Sequence, residues 1–181
     1  TDTDPNNIVA GSNVVTITAT FSEAMLATPT INITGEVSNT IMTATSSSSI
    51  WFYVWTVSTT TSGIVSATVA GTDVSRNAYS GATSITFTID NTVPTVTLTD
   101  TNSDNIISNS DVVTITATFS KSMAASPTIS LSGLISNAQM SATASASIWT
   151  YTWTVSTTVT STTATVSGTD LAGNTYAGTD S

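Results

Sequence analysis

The sequence predicts an all-β protein built from two tandem sandwich repeats, and three observations support this. Apolar residues alternate with Thr or Ser at a spacing of two, as at Val15, Ile17 and Ala19, which is the period of a half-buried strand. No stretch keeps the i, i+3, i+4 spacing of an amphipathic helix. Finally, one half of the sequence closely resembles the other, as tandem copies of one domain do.

The internal repeat is read most clearly at one segment. NVVTITATFSEAM, which begins at Asn13, recurs as DVVTITATFSKSM from Asp111, 98 residues later. The offset has become 97 by Gly71 and Gly168, so one residue is lost in between. The Thr/Ser-rich stretch 157–163 is the expected place for this loss, because surface loops tolerate insertions and deletions.

The strands of the first repeat follow from the alternation. They are predicted at Val15 to Phe21, Ile31 and Ile33, Met42 and Ala44, Trp51 to Val57, Val65 to Val69, and 84–90. A further strand at 95–99, after the connector IDNTVPT, opens the second repeat. About seven short strands in each repeat indicate an immunoglobulin-like β-sandwich.

The repeat phase sets the expected domain boundaries at 1–92 and 93–181. Thr1 matches Thr99, so the first repeat is expected to lack its first strand, and Ser181 matches Ser84, so the second is expected to lack its last. Each missing strand would leave an unpaired sheet edge. We therefore expect the sequence to be part of a longer array.

A comparison of the two copies predicts which strand face is buried. Trp51, Tyr53 and Trp55 keep their residue types in the second copy, whereas Phe52 and Val54 become Thr150 and Thr152. Solvent-facing strand positions commonly carry Thr, so the Trp/Tyr face is expected to form the core. Phe52 and Val54 would then form an exposed patch that could bind a ligand or cover a neighbouring module.

The composition excludes several functions. Eleven acidic residues face two basic ones, for a net charge of −9, and the chain has no cysteine or histidine. Nucleic acids and anionic membrane surfaces attract clusters of Lys and Arg, so neither is an expected partner. No apolar run approaches the roughly 20 residues of a membrane helix. Without histidine no Ser-His-Asp triad can form, and we expect no enzyme activity.

Several motifs together resemble a known family. VVTITATFSEAM, PTINITG, WFYVWTV, GTDVSRNAYSG and IDNTVPTVTL are similar to the Ig-like repeats of giant secreted bacterial adhesins, including gliding-motility adhesins of Bacteroidetes. The resemblance implies export, display at the bacterial cell surface, and a stalk that holds a distal binding region away from the cell. Neighbouring repeats of the same chain would be its principal partners.

Two other functions remain open from the sequence alone. The repeats could form a binding module for surface polysaccharide or another surface protein, through Phe52 and Val54 or through the loops. They could also be subunits of an extracellular filament or surface layer, which would require contacts between sheet edges of different chains.

Acidic residues cluster near the predicted module junction. Stacked modules would bring the first loop and the connector of repeat 1 near the last loop of repeat 2, and calcium takes six to eight oxygen ligands of this kind. The DN..P connector also resembles the calcium-binding linker of cadherins. The candidate ligands are Asp2, Asp4, Asp90, Asn91, Asp170 and Asn174. The alternative interpretation is that these residues form ordinary turns, since Asp and Asn side chains bind nearby backbone groups.

Overall fold

The computed structural model describes residues 1–104, 106–156 and 161–178. The chain divides into two compact units, Thr1–Asn91 and Thr92–Ser181, here called repeat 1 and repeat 2. All regular elements among the described residues are β-strands, so the predicted all-β class is confirmed. No helix in these ranges is long and apolar enough to cross a lipid bilayer.

Repeat 1 is a sandwich of two sheets. Its strands are β1 (Ile8–Val9), β2 (Val14–Thr20), β3 (Thr30–Ile33), β4 (Val37–Ile41), β5 (Thr43–Ala44), β6 (Ile50–Thr56), β7 (Gly63–Thr72) and β8 (Ala78–Ile89). One sheet has the order β1-β8-β7-β3-β4 and the other β2-β6-β5. Strand pairs are antiparallel except β1 and β8, which run parallel. This topology is immunoglobulin-like.

Repeat 2 has the same overall arrangement, but different strands lie at the edges of its two sheets. Its strands are β9 (Val96–Asp100), β10 (Val112–Phe119), β11 (Thr128–Leu131), β12 (Ile135–Gln139), β13 (Ser141–Ala142), β14 (Ile148–Thr154), β15 (Ala164–Thr169) and β16 (Thr175–Gly178). The sheets have the orders β13-β14-β10-β9 and β12-β11-β15-β16. In the described part of repeat 2, no strand matches the second half of β8. The predicted loop change at 157–163 lies partly outside the described residues.

The first residues of repeat 1 take the place of the end of β9. Asp2 pairs with Ile17, and their equivalents Asp100 and Ile115 pair in the same register. The Thr3 amide donates to the Thr16 carbonyl at 3.2 Å. Repeat 1 therefore has the last residues of a first strand, while Val96–Leu98 of repeat 2 have no counterpart in it.

The core of each repeat is built from the alternating residues. In repeat 1, Trp55 is 2% exposed and meets the fully buried Phe87 edge to face, with ring centroids 5.3 Å apart. In repeat 2, Trp153, the equivalent of Trp55, is buried, and so is Trp149, the equivalent of Trp51. Trp51, on the predicted core face, is only half-buried.

Candidate functional site

The first and last strands of repeat 1 meet at the sheet edge. Ile8 and Val9 of β1 lie opposite Thr88 and Ile89 of β8 in parallel register. The Thr88 amide donates to the Asn7 carbonyl at 2.8 Å, and the Asp90 amide donates to the Val9 carbonyl at 2.8 Å. Val9 and Ile89 are buried, so water has little access to this pair.

Asn91 fixes the end of repeat 1 to two of its loops. Its Oδ1 accepts the Gly11 amide, and its Nδ2 donates to the carbonyls of Ser58 at 3.2 Å and Thr61 at 2.7 Å. Three backbone groups from distant parts of the chain are thereby satisfied by one side chain. The Asn91 amide thus has a structural role in repeat 1.

Lys121 fixes the start of repeat 2 in a comparable way. Its ammonium donates to the Thr92 carbonyl and forms an ion pair with the Asp170 Oδ2 at 3.3 Å. Asp170 is only 2% exposed. Its Oδ1 accepts the Ala172 and Asn174 amides at 3.0 and 2.9 Å. A buried charge needs such partners, so Asp170 and Asn174 close a turn in repeat 2.

The matching turn of repeat 1 has different electrostatics. Asp73 accepts the Asn77 amide at 2.8 Å and the Asn77 side-chain amide at 2.9 Å. The Asn77 side chain is the largest of the hydrogen-bonding causes that lower the Asp73 pKa below its ordinary value. Glu23 stands where repeat 2 has Lys121, so this turn has an acid in place of a base.

Two of the remaining predicted calcium ligands, Asp2 and Asp4, sit in turns of the first loop. Asp2 Oδ1 accepts the Asp4 amide at 3.0 Å, and Asp4 Oδ1 accepts the Asn6 amide at 3.1 Å. Asp90 follows β8 and binds Val9 through its backbone. No group of three or more carboxylate, histidine or cysteine side chains is placed to hold a metal in the described ranges. These contacts match the turn interpretation, and the calcium junction stays a prediction.

The predicted patch on β6 is partly exposed. Val54 is 49% exposed, whereas Phe52 is half-buried between the paired residues Thr18 and Thr43. On the opposite face of the strand, Trp55 is buried. Val54 therefore presents an apolar side chain to solvent. Phe52 is less exposed than the alternation predicted.

A groove runs along the free side of β2 in repeat 1. Its volume is about 620 Å³, and its walls include Ala19, Phe21 and Ile85. Glu23 and Asp73 also line it. The repeat phase predicted a missing strand here. Glu23 follows β2 closely in the sequence, whereas Asp73 lies in a turn that only the fold brings to β2.

One further polar contact was not predicted from the sequence. The Glu36 Oε2 accepts the indole N–H of Trp55 at 3.3 Å and the Ser58 amide at 3.0 Å. The equivalent residue in repeat 2 is Leu134. This difference between the two copies could have indicated the contact from the sequence. A carboxylate needs polar partners of its own at a position that is apolar in the sister repeat.

No protein-family model matches the chain, and no curated protein matches it.

Proposed function

We propose that the chain is a structural spacer in the stalk of a large bacterial cell-surface adhesin, where it extends a distal binding region from the cell. The parallel pairing of β1 with β8 carries this proposal. The motifs similar to adhesin repeats support the surface location and imply that neighbouring repeats are the main partners. The role is mechanical, without a catalytic step.

The parallel geometry favours resistance to tension. Tension on the two ends of repeat 1 would draw β1 and β8 in opposite directions along their length. The Asn7–Thr88 and Val9–Asp90 hydrogen bonds would therefore be loaded together, whereas the bonds of an antiparallel hairpin pulled at its open end break one at a time. Burial of Val9 strengthens the Val9–Asp90 bond, because water competes for it less.

The two anchors described above support the same role. Asn91 holds the end of repeat 1 to its own loops, and Lys121 holds Thr92 at the start of repeat 2. Tension that enters the connector is thus passed into a folded unit at each of its ends. A spacer requires such anchoring, because otherwise the connector would detach from the folded repeats before they carried the load.

Single-molecule force measurement on the full chain tests the proposal. Asp90→Pro removes the amide that binds the Val9 carbonyl, since proline has no N–H. We expect a lower unfolding force for repeat 1 in this variant. Asp90→Ala is the matched control, because it keeps the amide and should keep the force. Equal forces for the wild type and Asp90→Pro would contradict the mechanical role of the β1–β8 pair.

The exposed Val54 supports a second candidate function, a binding module for surface polysaccharide or another protein. A Val54→Thr variant copies the sister residue Thr152 and should preserve the fold. Binding of the wild type, but not of this variant, to bacterial surface polysaccharide in a titration would favour the binding function. Equal behaviour of the two proteins would remove this patch as a site.

A further inference from the structure

Ser58 lies where two separate sets of contacts in repeat 1 meet. It follows the end of β6, and its amide donates to the Glu36 Oε2 at 3.0 Å. Its carbonyl accepts the Asn91 side-chain amide at 3.2 Å. One peptide segment therefore joins the Glu36 carboxylate to the residue that fixes the end of repeat 1.

Glu36 also joins the two sheets of repeat 1. It lies in the turn between β3 and β4, which belong to the five-stranded sheet, whereas Trp55 belongs to β6 of the three-stranded sheet. The Glu36 Oε2 accepts the indole N–H of the buried Trp55 at 3.3 Å. The carboxylate thus connects the loop 58–61 to a core residue of one sheet and to a turn of the other.

Gly11 permits the close approach of loops that the Asn91 contacts need. A Cβ atom at Gly11 would lie 2.6 Å from the Thr59 Cα and 3.0 Å from the Asn91 Oδ1, which is closer than ordinary van der Waals contact. A glycine is therefore required for the loop between β1 and β2 to lie against the loop 58–61. Asn91 binds both loops, so its site depends on the position of each.

Repeat 2 differs from repeat 1 at each part of this arrangement. Leu134 stands in place of Glu36, and Asn109 stands in place of Gly11. The one residue that repeat 2 lacks is expected at 157–163, the stretch that corresponds to the loop after β6. Positions distant in sequence thus differ together where they meet in repeat 1. This indicates that the contacts of repeat 1 act as one unit, which the fold itself does not require.

A carboxylate at position 36 is unfavourable if stability alone is considered. The Glu36 Oε1 is buried and has no hydrogen-bond partner among the described residues, and a buried oxygen without a partner destabilises a fold. Leucine, the residue of the sister repeat, avoids this penalty. Apolar replacements of buried charged groups are often neutral or stabilising. Glu36 is therefore better explained by what it positions than by stability.

We propose that Glu36 is the positioning residue of the Asn91 anchor. By binding the Ser58 amide, its carboxylate holds the loop 58–61 so that the carbonyls of this loop face the Asn91 side chain. Tension on the connector would then pass through Asn91 and this loop to Trp55 and the β3–β4 turn, and so into both sheets. This load path rests on the proposed spacer function, while the positioning of Asn91 by Glu36 does not.

Hydrogen exchange in the native full chain tests the positioning role. Glu36→Leu introduces the residue of the sister repeat, so the variant is expected to fold. We expect exchange at the Gly11 amide, which donates to the Asn91 Oδ1, to speed up about tenfold or more, since loss of a hydrogen bond to a charged group favours local opening by at least this factor. Exchange at the Thr88 amide, which donates to the Asn7 carbonyl, should change less.

Two further variants at the same position sharpen the test. Glu36→Gln keeps an oxygen that can accept both hydrogen bonds, so exchange at the Gly11 amide should stay close to that of the wild type. Glu36→Asp keeps the charge but has a side chain one methylene shorter, so it should speed exchange in the same direction as Glu36→Leu. The aspartate variant also keeps the test possible if the leucine variant does not fold.

Unchanged exchange at the Gly11 amide in both Glu36→Leu and Glu36→Asp would overturn the positioning role. An equal increase at the Gly11 and Thr88 amides would also overturn it, because the carboxylate would then stabilise repeat 1 only as a whole.

Force measurement tests the load path separately. The unfolding force of repeat 1 should fall in Glu36→Leu. A wild-type force together with faster exchange at the Gly11 amide would remove the load path and support the positioning role. If Asp90→Pro still lowered the force in that case, the spacer proposal would stand without the load path.

Discussion

Individual residues in the two repeats show how one fold accommodates opposite charges. Asp170 is buried and paired with Lys121 at 3.3 Å, whereas Asp73 lies near Glu23 and depends on Asn77. Both aspartates close the same turn through their amide contacts. The turn is therefore maintained by hydrogen bonds from the following asparagine, and the cation of repeat 2 is an addition to it.

The turn of repeat 1 gives a prediction about pH. Because the pKa of Asp73 is lowered in the folded protein, the ionised carboxylate stabilises repeat 1 above the ordinary aspartate pKa. That contribution is lost as the pH falls through the lowered pKa. Asn77→Ala removes the leading cause, so the Asp73 pKa should rise toward its ordinary value in an NMR titration of the side-chain carboxyl carbon.

Ser75→Ala is the control for this titration. The Ser75 backbone contributes to the lowered pKa of Asp73, and the alanine variant retains that backbone. The Asp73 pKa should therefore stay low in Ser75→Ala. A pKa that is unchanged in Asn77→Ala would show that the asparagine side chain does not stabilise the carboxylate.

At the scale of the strands, β14 contains the residue whose loss should cost most. Trp153 is buried in the core of repeat 2, and its indole fills space that alanine cannot. Trp153→Ala should lower the free energy of unfolding of repeat 2 by about 3–5 kcal/mol, as measured by denaturant titration. Thr154→Ala, at the adjacent exposed position, should change it by less than about 0.5 kcal/mol. Equal losses would refute the assigned core face.

The strands also show which parts of the fold alternation can predict. The buried face of β2 was predicted because the strand runs for seven residues with one apolar face. β6 is apolar on both faces, and its core face was predicted from the Thr residues that replace Phe52 and Val54 in the second copy. β1 was not predicted, because Ile8 and Val9 are too few to show a period and their partner β8 is distant in sequence. β4 was not predicted either, since its residues are half-buried or exposed.

The same limit applies to the candidate sites. The sequence placed Asp170 and Asn174 in one loop, but the ion pair of Asp170 is with Lys121, which lies 49 residues before it. Asn91 was predicted as a metal ligand, and its contacts to Gly11 and Ser58 come from loops that only the tertiary fold brings together. Side-chain partners distant in sequence leave no local pattern to read.

For the whole molecule, the calcium junction remains a prediction with a direct test. A cation that binds only the folded chain raises its stability by an amount that grows with the free ion concentration. If the junction binds calcium, the melting temperature should rise with calcium in the millimolar range and return to its starting value with a chelator. Asp90→Ala should abolish the shift, and a control with Asp104→Ala, outside the proposed ligand set, should retain it.

A melting temperature that stays constant from chelator to millimolar calcium would end this hypothesis. The result would also separate the two interpretations of the acidic loop. The turn interpretation requires only the hydrogen bonds seen at Asp2 and Asp4, which need no cation. Under it, Asp2→Asn should be tolerated, because asparagine keeps the oxygen that accepts the Asp4 amide.

The position of Asn91 has a consequence for the order of events during synthesis. It is the last residue of repeat 1, and its hydrogen bonds to Gly11, Ser58 and Thr61 can form once the chain has grown just past it. At that moment β10, whose VVTITATFS copies β2, has not yet emerged. Adjacent domains of similar sequence are prone to exchange strands. Early formation of the Asn91 hydrogen bonds would therefore keep β2 in its own sandwich before β10, which has nearly the same sequence, is available to take its place.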